Sequence, residues 1–271
     1  MNNLECKMVD MLKDLKENFY VVGVKAEFEA EGTRMEEALR LKEVITRAGL
    51  ELTIKIGGCE AIKDMYDARA IGVSRIVAPM IESPYALYKY LQAADMVFPQ
   101  EEIKQIDFLV NIETITGYNN FKEMLKVKNI KRLKGIVLGR VDMSGSIGLT
   151  REDINSDKIF EIANDLLDQA KKENLECVIG GGVGKEALPF MRKLKKGILD
   201  KYETRKLIFK CPEALNDKAE IGILKAVGFE LMWLKNKRNF YSKISEEDNN
   251  RIEMLEKRYK KLIEETGVKL N

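Results

Sequence analysis

The sequence predicts a closed (β/α)8 TIM barrel, preceded by one helix and followed by a long one. Three observations carry this reading. Short β-rich runs alternate with longer amphipathic runs along the chain. Eight such units succeed one another without a long linker, which implies parallel strands joined by helical crossovers. The length, 271 residues, lies close to the roughly 250 residues of one such barrel. An open doubly wound sheet is the competing arrangement. Residues 1–271 read as a single domain.

Leu4, Met8, Met11, Leu12 and Leu15 recur at helical spacing, so residues 4–18 form the leading helix. Strand 1 covers 21–28 (VVGVKAEF), and a helix over 35–48 ends at Gly49. Strand 2 is 51–57, with a helix to Ile71 stopped by Gly72. Strand 3 (74–81) precedes a helix over 84–94, strand 4 (107–113) one over 119–127, and strand 5 (135–138) a long one over 151–173. Strand 6 is 175–179 with a helix over 185–195, strand 7 is 204–209 with a helix over 217–226, and strand 8 is 229–234. Ser245 then caps a last helix, 245–266, with Glu246, Glu247 and Asp248 in the first turn, where the helix dipole favours acids. Its stripe of Ile252, Leu255, Tyr259 and Leu262 packs either on the barrel or on a neighbouring subunit.

Composition excludes several classes of function. Lys plus Arg number 46 against 44 Asp plus Glu, a net charge of +2, without the basic block of a nucleic-acid binder. No apolar run approaches a membrane span, and residues 1–19 lack the apolar core of a signal peptide. The chain has no histidine, which removes Ser-His-Asp and Cys-His devices, His-ligated zinc and any imidazole base. Cys6, Cys59, Cys177 and Cys211 are too widely spaced for a metal knuckle or a disulfide scaffold. They read as small buried apolar residues of a cytoplasmic protein.

Charges inside the strands point to the site. In strand 1, Val22, Val24, Ala26 and Phe28 share one face and leave Lys25, Glu27 and Glu29 on the other; in strand 2, Thr53 and Lys55 stand opposite Leu52, Ile54 and Ile56. Asn111 and Glu113 share a face of strand 4. The outer face of a barrel strand packs on helices and must be apolar, so the polar set faces inward. Glu113 ends strand 4 and Asp142 follows strand 5, at the C-terminal rim where barrel active sites lie. Neighbouring strands are about 4.8 Å apart, so the two carboxylates can share a hard cation, Mg2+ or Mn2+. The alternative is an internal salt bridge, for example from Glu113 to Lys55. The run GGGVG (180–184) followed by Lys185 and Glu186 lacks the Ser or Thr of a phosphate loop and reads as a tight strand-to-helix turn. Of Arg205 and Lys206, on opposite faces of strand 7, one can point inward, a solvated strand edge being the alternative.

The runs NIETITG (111–117) and GIVLGRVDMSGSIG (135–148), in that order and spacing, resemble the paired signature of the HpcH/HpaI aldolase and citrate lyase β-subunit family; IVAPMIES (76–83) resembles its third strand. The similarity spans roughly residues 20–185. It implies a metal-dependent lyase on a (β/α)8 barrel, with Glu113 and Asp142 matching the two metal-binding carboxylates. Lys55 stands where the family usually has a keto-acid-binding arginine. It is a point charge and cannot make the two-pronged grip of a guanidinium. The aldolase branch has a histidine near the end of strand 1, where this chain has Glu27 and Glu29, and a G-x-R-G segment where this chain reads FPQEEIKQ (98–105).

The expected chemistry is carbon–carbon bond cleavage or formation on a 2-keto acid, with an aldehyde as second reactant. Mg2+ or Mn2+ on Glu113 and Asp142 stabilises the enolate together with Lys55, and Glu27 or Glu29 moves the proton. Lys25, Asn111, Gly139, Arg140 and Arg205 are the candidate substrate-binding residues. Three alternatives stay open: a Schiff base on Lys55 or Lys25, a citrate-lyase-like thioester cleavage, and a barrel that binds a keto or sugar acid without turnover. The family resemblance also implies a homo-oligomer built through residues 245–266.

Overall fold

A computed structural model describes residues 1–266. Eight strands close into one barrel in the order β1 to β8. They are β1 (Val21–Glu27), β2 (Glu51–Lys55), β3 (Arg75–Ala78), β4 (Asp107–Ile112), β5 (Leu133–Gly139), β6 (Glu176–Gly180), β7 (Lys201–Glu203) and β8 (Leu207–Lys210). The helices are α1 (Asn3–Phe19), α2 (Met35–Arg47), α3 (Ile62–Ile71), α4 (Pro84–Val97), α5 (Ile115–Met124), α6 (Arg140–Ser146), α7 (Asp157–Lys172), α8 (Leu188–Lys193) and α9 (Ala219–Thr266). Two units divide the chain: Met1–Glu230, which holds the whole barrel, and the part from Leu231 onward. No described helix is long and apolar enough to cross a membrane.

Local chemistry sets the element ends. Asn2 accepts from the Glu5 amide at 2.9 Å while the Glu5 carboxylate accepts from the Asn2 amide at 2.8 Å, a reciprocal cap that starts α1. Ser83 caps α4 with Pro84 in its first turn, and Thr114 caps α5 by accepting from the Gly117 amide at 3.1 Å. The Thr114 cap ends β4 directly after Glu113, so it also fixes where that carboxylate leaves the sheet.

Strands β1 to β7 pair in parallel from neighbour to neighbour, as the crossover pattern predicts. The closure departs from the expected repeat. The stretch expected as strand 7, 204–209, is instead a corner and most of β8: β7 ends just before it at Glu203, and β8 turns back antiparallel to both β7 and β1. Thr204 makes the corner, because its amide donates to the Leu207 carbonyl at 2.9 Å and its hydroxyl accepts from the Leu207 amide at 3.1 Å. Arg205 and Lys206 are therefore turn residues, not opposite faces of a strand.

The stretches expected as a helix over 217–226, strand 8 over 229–234 and a helix capped by Ser245 are one continuous helix, α9. A short, mostly apolar run such as FELMWL fits a helix as well as a strand. Here burial follows helical spacing: Ile223, Ala226, Phe229 and Trp233 are buried, and Leu224, Val227, Leu231 and Leu234 are exposed. Ile252, Leu255, Tyr259 and Leu262 are exposed on the same helix. The long helix expected over 151–173 is a short 3-10 turn followed by α7, and α6, which carries Asp142, lay unassigned in the Gly-rich stretch ahead of it. Cys177 and Cys211 are buried as expected of small apolar residues, whereas Cys6 is exposed and Cys59 half-buried; all four are free.

The barrel interior is layered. Val77, Leu109, Val137 and Val178 form an apolar belt. Below it, toward the N-terminal ends of the strands, Arg75 donates to Glu176 at 2.8 Å and to Asp107 at 3.1 Å, and Lys201 pairs with Glu176 at 2.8 Å. Burial alone would raise the Glu176 carboxyl, but Arg75 and Lys201 outweigh it and hold the group below its ordinary value. A depressed carboxyl contributes stability above its unfolded value and loses it as pH falls through the folded one. Arg75→Met should therefore cost about 1–3 kcal/mol at neutral pH, since it leaves the buried Glu176 with Lys201 alone of its two cationic partners. Urea unfolding should show the deficit shrinking as pH falls below the ordinary carboxylate range and through the depressed value of Glu176 in the folded wild type.

Candidate active site

Above the apolar belt the strands open into a cavity of about 790 Å³. It lies at the C-terminal ends of the strands, as expected for this architecture. Lys25, Glu27, Glu29, Lys55, Asn111, Glu113, Gly139, Asp142 and Arg205 all line it. Nine of the ten residues singled out in the sequence thus converge on one space. Arg140 is the exception.

Glu113 is the most constrained of them. It is almost fully buried, and one oxygen accepts from the Met80 amide at 3.0 Å while the other accepts from Asn111 Nδ2 at 2.9 Å. Met80 turns its amide inward by taking φ +51°, a left-handed conformation uncommon for a side chain of this size. No described ion pair reaches Glu113; the salt bridge to Lys55 considered from the sequence does not form, and Lys55 pairs with Glu29 at 3.0 Å. Burial raises the Glu113 carboxyl above its ordinary value, and Asp142 adds to the effect. Lys55 and the two amide donors oppose it without cancelling it. Asp142 is exposed on α6, facing the same cavity, with no hydrogen bond or ion pair among the described residues.

Gly139 explains how Glu113 fits. A Cβ at position 139 would lie 2.6 Å from Glu113 Oε2 and 2.8 Å from its Cβ, so the carboxylate occupies the space a side chain would take. The neighbouring strand repeats the device. Gly180, paired in register with Gly139, leaves room for Glu203, whose Oε1 lies 3.0 Å from a Cβ built there. Two glycines form a bare floor, with a carboxylate on either side.

The opposite wall carries the cations. Lys25 lies between Glu203, at 2.5 Å, and Glu27, at 3.2 Å. Burial opposes its charge, but the two carboxylates prevail and hold the ammonium well above its ordinary value. Lys55 is likewise raised, against burial, by Glu113, Glu29 and Glu27. Glu27 is held below its ordinary value: burial works against ionisation, and Lys25, Lys55 and Arg205 outweigh it. Arg205, half-exposed at the mouth, lies 3.8 Å from Glu27 and 3.2 Å from Glu31, whereas Lys206 is buried against Glu31 and does not line the cavity.

Arg140 is fully buried with its guanidinium turned away from the cavity. It donates to Asn155 Oδ1 at 2.6 Å and to the carbonyls of Gly180, Gly181 and Gly182 at 3.3, 3.0 and 3.3 Å, and stacks over the Phe190 ring. Burial pushes it down to about 10. Its side chain thus ties the glycine turn to the start of α6 and is not placed to touch a ligand. The turn itself, with Gly181 at φ +73° and Gly182 at φ +66°, is the tight strand-to-helix corner expected over 180–184.

Glu203 is not among the residues expected at the site because β7, 201–203, lies wholly ahead of the stretch 204–209 that reads as strand 7. The alternation of Lys201 and Glu203 about the buried Tyr202 was the available signal.

The donor set around Glu113 and Asp142 suits a hard dication. Both groups offer only oxygen, one is anchored and buried, the other is free, and their mutual repulsion is relieved by an ion. Among the described residues no group of three or more Asp, Glu, Cys or His is placed to hold a metal. The remaining positions would therefore fall to water or substrate, as for magnesium at sites with one or two carboxylates.

Fold and cavity define a closed barrel that opens into a charged cavity at the C-terminal ends of its strands. The HpcH/HpaI aldolase/citrate lyase model matches residues 30–180, and the chain belongs to that family of aldolase- and citrate-lyase-type lyases. Among solved structures it resembles a HpcH/HpaI aldolase/citrate lyase family protein from Burkholderia cenocepacia J2315, at 15% identity over 68% of this chain and 80% of that one, with a TM-score of 0.55. A HpcH/HpaI aldolase from Desulfitobacterium hafniense DCB-2 is similar at 13% identity, over 68% and 78%, with a TM-score of 0.55. The citrate synthase SbnG aligns over 86% of this chain and 90% of its own, at 12% identity and a TM-score of 0.58. At such identities the likeness shows the fold alone. No curated protein matches the sequence.

Proposed function

We propose that the chain is a carbon–carbon lyase acting on a 2-keto acid, with Mg2+ or Mn2+ held by Glu113 and Asp142 and an aldehyde as the second reactant. The observation that supports it best is the pair itself: a buried carboxylate in no described ion pair, with a second, unpaired carboxylate lining the same cavity close enough to raise it. When bound, the dication supplies Lewis-acid polarisation of the keto group. Lys55, charged and directed into the cavity, attracts the anionic substrate and stabilises negative charge as it grows on the keto oxygen. Asn111 and the Met80 amide hold Glu113 in one orientation, so little reorganisation accompanies reaction.

A Schiff base on Lys25 or Lys55 is disfavoured on electrostatic grounds. Both ammonium groups are held in the charged form by carboxylates, and an attacking amine must be neutral. Retro-aldol assays on 4-hydroxy-2-keto acids test the reading. Activity should fall by at least about 10²-fold in EDTA and return with Mg2+ or Mn2+, and borohydride with pyruvate should trap no adduct. Chelator-indifferent turnover, or a trapped lysine, would reject it.

A further inference from the structure

We propose that Glu203, seated over Gly180 and paired with Lys25, is the group that takes the proton from the substrate and returns it. The inference rests on the 2-keto-acid reading above and supplies what a chain without histidine lacks, an acid–base residue.

Geometry narrows the choice. Glu203 is almost fully buried, lines the cavity and stands beside the glycine floor on the side away from Glu113. Adjacent strands are about 4.8 Å apart, so these two carboxylates are separated by no more than about 10 Å, and one small keto acid on the floor reaches both. Oε1 of Glu203 accepts from Lys25, while no described hydrogen bond reaches Oε2. One oxygen of this cavity-lining carboxylate is thus tethered, and the other has no hydrogen bond among the described residues.

The competing carboxylates are engaged or misplaced. Glu27 faces Lys25, Lys55 and Arg205, three cations that make it a weak base. Glu29 is tied to Lys55 at 3.0 Å. Glu152 and Glu186 are exposed and Glu230 half-exposed, on the loops and helix around the mouth.

One proton serves a whole turnover. In the cleavage direction Oε2 takes the proton of the 4-hydroxyl and the oxygen's freed electron pair becomes the aldehyde carbonyl. The C3–C4 bond breaks, and its pair forms the C2–C3 double bond as the C2–O π pair moves to the keto oxygen. The enolate re-forms its carbonyl and takes the same proton from Glu203 onto C3, which regenerates the carboxylate. Lys25 keeps a positive charge beside Glu203 throughout.

The last half-step runs alone with pyruvate, as exchange of methyl protons for deuterium. The experiment follows the pyruvate methyl signal by NMR in D2O with the full chain and Mg2+. Glu203→Gln should slow exchange by about 10²-fold or more, while its Mn2+ affinity, read from the spin resonance of free Mn2+, stays within twofold of wild type. Glu203→Asp keeps the charge and the Lys25 partner but withdraws the oxygen, and should slow exchange at least tenfold. This second variant serves if the first fails to fold. Exchange within threefold of wild type in either folded variant would overturn the assignment of Glu203 alone. A wild-type protein that binds Mn2+ but exchanges nothing would overturn the 2-keto-acid reading, and this inference with it.

Discussion

Glu113→Gln should lower kcat/KM by about 10³-fold or more and yet leave the metal-free protein more stable than wild type. The two effects have opposite signs for one reason. Burial and Asp142 raise the Glu113 carboxyl, so its ionised form is a cost that folding carries at neutral pH. A raised carboxyl binds protons more tightly folded than unfolded, so this cost vanishes as pH falls toward the unfolded value. The amide removes the charge at nearly the same volume; its oxygen keeps the bond from the Met80 amide, and its NH2 is met by Asn111 once that side-chain amide turns to present Oδ1. Thermal unfolding in EDTA should place the variant above wild type at pH 7, with the difference closing on acidification. A variant less stable at pH 7 would mean that Glu113 is a structural carboxylate satisfied by its hydrogen bonds.

Gly139→Ala should damage the fold and the site together. The new Cβ would lie 2.6 Å from Glu113 Oε2 and 2.8 Å from Glu113 Cβ. A Cβ contact with another side chain's Cβ cannot be relieved by swinging a flexible end, so either β4 or the carboxylate must shift. The expected cost is about 1–3 kcal/mol in stability and about 10²-fold in turnover, with weakened Mn2+ binding. Gly145→Ala, on α6 with nothing within 4 Å of its added Cβ, is the control and should leave all three unchanged. Equal metal affinity in Gly139→Ala and wild type would show that Glu113 does not depend on the glycine floor.

How much of this was legible in the sequence depends on the signal in each segment. Strands 1, 2 and 4 reveal themselves through inward charges opposite apolar faces, and those charges prove to be the cavity wall. The closing elements do not. Phe229 to Leu234 is apolar but for Glu230, too little polarity to show a period, and only its burial pattern distinguishes helix from strand. The corner after Glu203 depends on the Thr204 hydroxyl closing a turn between residues that both suit strands. The place of the Arg140 side chain is hidden for a related reason: the three glycine carbonyls and Asn155 that capture it come from segments distant in sequence. Glu113 and Asp142, which come from consecutive β/α units, are legible because the short spacing ties them to one rim.

Titration of Mn2+ into the full chain, followed by spin resonance with and without pyruvate, tests the central claim most directly. The account predicts one site per chain that tightens with pyruvate and is lost in both Glu113→Gln and Asp142→Asn. Undiminished binding in either folded variant would contradict it.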